Sequence, residues 1–127
     1  MYTNQMLDRF NPGTDLTAVA ATAVTGKTFL AYAGAMTRDL ITVGVAGAGK
    51  PTAGVAKYDA DANTLVGVAR GAGRIVTVTA ETQLVAGDPI AVGTAGKATK
   101  AVDQAAIVGY AANNADAGDD ALVSLTY

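Results

Sequence analysis

The string Gly44-Val45-Ala46-Gly47-Ala48-Gly49-Lys50 carries the Gly-x-x-x-x-Gly-Lys spacing of a phosphate-binding loop, whose amides and lysine cradle nucleotide phosphates. The next residue should be Ser or Thr to hold magnesium, and it is Pro51. Proline also lacks an amide hydrogen and keeps Lys50 away from helical angles where that loop should open into a helix. The stretch therefore reads as a hairpin loop leading into a strand. Asp59-x-Asp61-x-Asn63 opens like a calcium loop, but the sixth and twelfth positions are Thr64 and Arg70 where Gly and Glu are required. Asp116, Asp119 and Asp120 read as a solvated loop tip, and Ser124 as a structural hydroxyl with no base to activate it.

What the chain lacks narrows the chemistry further. It has no His, no Cys and a single Glu, Glu81. A Ser-His or Cys-His nucleophile pair, an imidazole or thiolate zinc site and a disulfide are therefore impossible. The expectation is a non-enzyme with no cofactor and no metal. A net charge of −2, with the nine cations scattered from Arg9 to Lys100, lacks the basic stripe of a nucleic-acid binder. No stretch approaches the roughly 18 unbroken apolar residues of a membrane span. The run Leu16 to Val24 is preceded by Asp8, Pro12 and Asp15 rather than a basic leader, so the reading is a protein made in the cytoplasm and used without secretion.

The elements that must carry any function are short strands. Half of the 127 residues are hydrophobic, but 28 are Ala, 14 Val and 15 Gly, and only 6% are aromatic, so one domain must build its core from small side chains. Strands are expected at residues 16–22, 27–32, 40–45, 52–57, 65–69, 73–79, 89–92, 107–112 and 121–126, separated by Gly- and Asp-rich turns. This rhythm predicts an all-β fold, a small β-sandwich or barrel-like body. The Ala-rich segments 30–40 and 104–114 leave room for one short helix. Ala48-Gly49-Lys50-Pro51-Thr52 followed by Gly54-Val55-Ala56, and Ala95-Gly96-Lys97-Ala98-Thr99 followed by Ile107-Val108-Gly109-Tyr110-Ala111, form a faint internal echo.

Residues 1–15 differ from the 16–127 β-rich domain. They hold an Asn11-Pro12-Gly13 breaker and place Tyr2, Met6 and Phe10 four residues apart. Such a segment is too short for a stable isolated helix and needs a surface to dock on. The expectation is an extended N-terminal arm with Tyr2, Met6, Leu7 and Phe10 as its partner-binding side chains.

The succession of phrases resembles the capsid cement, or head decoration, proteins of tailed bacteriophages. It runs through Val24-Thr25-Gly26-Lys27-Thr28-Phe29-Leu30, Pro51-Thr52-Ala53-Gly54-Val55-Ala56, Gly73-Arg74-Ile75-Val76-Thr77-Val78, Val85-Ala86-Gly87-Asp88-Pro89-Ile90, Ile107-Val108-Gly109-Tyr110-Ala111 and Asp120-Ala121-Leu122-Val123-Ser124-Leu125. The resemblance implies a virion protein on the outer surface of the head, with the major capsid protein as partner. It also implies a homo-oligomer, a trimer before a dimer, while the charge and hydropathy above lead to the expectation of no nucleic-acid and no membrane partner. The rival expectations are another structural virion component, tail or fibre associated, and a small β ligand-binding module.

Overall fold

The computed structural model describes residues 3–6 and 15–126. Ten strands run in order: β1 (Asp15–Ala20), β2 (Phe29–Tyr32), β3 (Thr42–Val45), β4 (Gly54–Ala56), β5 (Leu65–Ala69), β6 (Ile75–Thr79), β7 (Pro89–Val92), β8 (Ala98–Lys100), β9 (Gly109–Ala111) and β10 (Asp120–Leu125). The fold is all-β. Its helical content among the described residues is two single 3-10 turns, Thr94–Gly96 and Gln104–Ala106. The Ala-rich segment from residue 104 thus makes one turn, begun where Asp103 accepts a hydrogen bond from the Ala105 amide, and then re-extends.

The strands form two units of one design. The first is a closed barrel in the order β1-β3-β2-β4-β5, and the second is a five-stranded sheet in the order β6-β10-β9-β7-β8. A parallel bridge between Ala80 and Ala98 joins the outer strands of the second, as the parallel pairing of Val19 with Thr42 and Ala20 with Val43 joins β1 to β3. Register matches strand for strand. Leu30 faces Gly54 as Ile90 faces Gly109, Phe29 faces Val55 as Pro89 faces Tyr110, and Val55 faces Ala69 as Tyr110 faces Ser124. The Val24–Ala60 bridge corresponds to Leu84–Ala115. Turns match as well: the Gly26 amide donates to Asp59 Oδ1 at 2.8 Å and the Ala86 amide to Asn114 Oδ1 at 2.9 Å. Lys27 at φ 62° stands where Gly87 has φ 91°, and Asn63 at 65° where Gly118 has 87°. The main difference is the connection between the second and third strands, residues 34–41 in the first unit and the turn Thr94–Gly96 in the second.

Alternation fills each unit with the same inward positions. The first core gathers Ala18, Ala20, Val24, Leu30, Val43, Ala53, Ala56, Ala60, Val66 and Val68. Their counterparts Val78, Ala80, Leu84, Ile90, Ala98, Val108, Ala111, Ala115, Ala121 and Val123 all belong to the second core. That second core also takes in Phe29, Ala46, Val55 and Ala69 from the outside of the first unit. Large and small residues trade places between the copies, as Ala18 for Val78 and Val43 for Ala98, so each interior keeps a similar volume.

Three local expectations need correction. The loop after Gly44 is not a hairpin: β2 lies between β3 and β4, so residues 46–53 arch across its end. There the Thr52 hydroxyl, buried, donates to the Leu30 carbonyl at 2.8 Å. The two Ala-Gly-Lys strings do not correspond, because the first follows β3 whereas the second precedes β8. Of the strings that follow them, Gly54-Val55-Ala56 matches only the last three of residues 107–111, as β4 and β9. Strand β8 itself was not anticipated, since three residues just after Gly96-Lys97 carry no alternating signal of their own.

Candidate interaction surfaces

The two units meet through one row of side chains. Asp15, Ala69, Val55 and Phe29 are directly paired across β1, β5, β4 and β2, so their side chains stand on one outer face. Phe29, Val55 and Ala69 are buried there against the second unit. Backbone groups complete the contact: the Thr79 amide donates to the Lys27 carbonyl at 2.9 Å, and the Gly49 amide to the Val92 carbonyl at 2.8 Å. Gly96 lies so close to β2 that a Cβ there would be 2.7 Å from the Phe29 carbonyl oxygen. The second unit pairs β6 with β8 only at Ala80–Ala98, and the first unit covers the edge this leaves open.

A cleft of about 210 Å³ lies beside that contact, lined by Val55, Ala56, Ala69 and Val76 with Lys27, Lys57, Arg74 and Thr77 around them. Its cations are engaged. Lys57 and Arg74 both hydrogen-bond the Asp15 carboxylate, Arg74 Nη1 at 2.7 Å, and Lys27 bridges to Asp120 at 3.0 Å. The hydrogen bond from Lys57, then that from Arg74, holds the Asp15 carboxyl below its ordinary 3.8. The Arg74–Asp15 and Lys27–Asp120 pairs tie the units together across the mouth of the cleft.

A second hollow of about 230 Å³ is lined by Asn114, Ala115, Asp116, Asp119 and Asp120. Here Asp120 is taken by Lys27, and the Asp119 amide donates to the Asp116 carbonyl at 3.1 Å. Asp59, from the string that opens like a calcium loop, caps the turn at Gly26. The phosphate-loop string is likewise structural, its Gly49 amide being spent on Val92. Ser124 stands on the outer face of β10, paired with Ile75 on one side and Tyr110 on the other.

Of the arm residues singled out from sequence, Tyr2, Leu7 and Phe10 lie outside the described residues. Met6 is described and exposed. Sequence reasoning missed the outer row of the second unit, Ile75, Ser124, Tyr110 and Pro89, which pair directly across β6, β10, β9 and β7. It is the counterpart of the buried row on the first unit, yet Ile75 is 56% and Tyr110 46% exposed. The available signal was an outward Ile and Tyr on strands whose alternate residues are core.

No protein-family model matches the chain, and no curated protein matches it. Among solved structures, the crystal structure of the head fiber gp8.5 N base in bacteriophage phi29 is similar, with a TM-score of 0.76 and 26% sequence identity, over 88% of this chain and 92% of that chain. The chain thus shares the fold of a structural protein of a phage head, a broader class than the decoration proteins that its phrase order resembles.

Proposed function

We propose that this protein is a non-enzymatic structural component of a tailed-phage virion that binds the outer surface of the head and reinforces contacts between major capsid subunits. The observation that carries the reading is the likeness to the phi29 head fiber base across nearly the whole of both chains. The residues agree with it: no His or Cys is present, Ser124 has no base beside it in the sequence, and within the motif-like strings Asp59 is engaged by the Gly26 amide and Asp120 by Lys27. A ligand that binds only the mature lattice stabilises it by mass action, and many copies act together across a shell. Oligomerisation, with a trimer expected first, adds burial that two small Ala-rich cores lack.

The test is addition of purified protein to expanded heads that lack it. The heads should gain regular surface density in cryo-electron microscopy and a higher disruption temperature; heads that gain neither overturn the reading. The same neighbour favours a second role, the base of a fibre rather than a brace between subunits. Density on the head without a rise in disruption temperature would select that role.

A further inference from the structure

We infer that the outer row of the second unit, Ile75, Tyr110 and Pro89, is a self-association surface that docks on the Tyr32–Met36 end of the first unit of another copy. The contact already exists once inside the chain. The first unit's row (Ala69, Val55, Phe29) is buried on a face of the second unit that includes Val76, Val92 and Leu125. Tyr110 stands where Val55 does and Pro89 where Phe29 does. Tyr110 is exposed and Pro89 half-buried, and the position of Asp15, ionic in the first unit, is taken by the exposed, apolar Ile75.

The receiving face also has a free counterpart. Leu16, Tyr32 and Arg70 of the first unit correspond to Val76, Val92 and Leu125 of the second. Tyr32 is 59% exposed, and Met36 in the adjoining loop is exposed beside it in sequence. The Arg70 guanidinium donates to the Tyr32 hydroxyl at 3.3 Å, which holds the ring across this end. Two different surfaces that fit each other make a head-to-tail contact, not a two-fold one.

One part of the internal contact is not repeated. In the second unit the Thr79 amide is satisfied by Lys27 of the first; its counterpart, the Val19 amide, already donates to the Ile41 carbonyl at 2.9 Å. The longer 34–41 connection supplies that carbonyl and makes the first unit complete without a predecessor. The contact between copies therefore rests on side-chain packing, and is weaker and more reversible than the one inside the chain.

This inference deepens the assembly part of the proposed function, but its test needs no head. Sedimentation velocity of the full chain should show concentration-dependent association in multiples of 12.6 kDa. Tyr110→Asp and Tyr32→Asp should each remain at the single-chain mass, because each retains only one half of the contact. Mixed in equal amounts, they should form a 1:1 complex of twice that mass, which also shows that both variants are folded. Ile75→Lys with Met36→Glu repeats the test at other exposed positions on the same two surfaces. A wild-type chain that stays monomeric, a single variant that associates like wild type, or a mixture that stays monomeric overturns the inference. Failure here leaves head binding standing, and failure of head binding leaves this contact standing.

Discussion

Gly54 and Gly109 occupy the same place in the two units, and each is hemmed in by corresponding neighbours. A Cβ at Gly54 would lie 2.5 Å from Val68 Cγ1 and 2.7 Å from the Ala69 carbonyl oxygen; at Gly109 it would lie 2.7 Å from Val123 Cγ1 and 2.5 Å from the Ser124 carbonyl oxygen. Because backbone is among the atoms met, a side-chain shift does not relieve the overlap. Gly54→Ala and Gly109→Ala should each cost about 1–3 kcal/mol or more, the range for overpacking, read as a lowered urea midpoint. Gly54, whose φ of 144° adds backbone strain, should be the costlier site.

Phe29 and Pro89 occupy corresponding positions with opposite surroundings. Phe29 is fully buried and packs in the second unit's core, whereas Pro89 is half-buried on the outer row. Phe29→Ala should cost about 3–5 kcal/mol and shift the methyl resonances of Val92 and Leu125, its partners in that core. Pro89→Ala should move stability by no more than about 0.5 kcal/mol in the isolated chain. Equal losses at the two sites would contradict the asymmetric docking of the units.

The Asp15 ion triad makes a pH-dependent contribution whose sign follows from its lowered carboxyl pKa. A carboxyl that ionises more readily folded than unfolded stabilises the fold above its unfolded value near 3.8, and that contribution drains away as pH falls through the lower folded value. Carboxyl titration by NMR should place Asp15 below 3.8, and Lys57→Ala or Arg74→Ala should move it back up. In Asp15→Asn the loss of stability between neutral pH and pH ~3 should be smaller than in wild type. Because the group is exposed, the effect should shrink as salt is added.

Asn63 and Gly118 share a left-handed turn in the two units. Asn tolerates that conformation and β-branched residues do not. Gly118→Asn should therefore cost less than about 1 kcal/mol, and Gly118→Val more, measured by thermal unfolding. Asn63→Gly should be close to neutral.

Much of the strand set was legible because alternation is a local signal. Leu65–Ala69 and Pro89–Val92 are as expected, and the other expected strands lie within a few residues of those observed. Ala98–Lys100 was not, since its strand character comes from pairing with β7 rather than from its own three residues. The repeat was nearly hidden. Corresponding positions agree in identity at places such as Thr17 and Thr77, Ala20 and Ala80, Ala56 and Ala111, Asp61 and Asp116, and Val68 and Val123, and differ at most others. Packing demands only matched volume and inward placement, so the echo survives in register more than in letters.

From its sequence alone the chain was bound to be an all-β protein with small-residue cores and without histidine or cysteine chemistry. Composition and periodicity act residue by residue, and they settle which side chains turn inward. Which strand lies beside which is a matter of hydrogen bonds between distant segments, and nothing in a run such as Ile75–Thr79 names its partner. Only the tertiary structure decided that a closed barrel and a five-stranded sheet share one strand order and register, that Phe29 of the first joins the core of the second, and that the matching row at Ile75 and Tyr110 stands uncovered among the described residues.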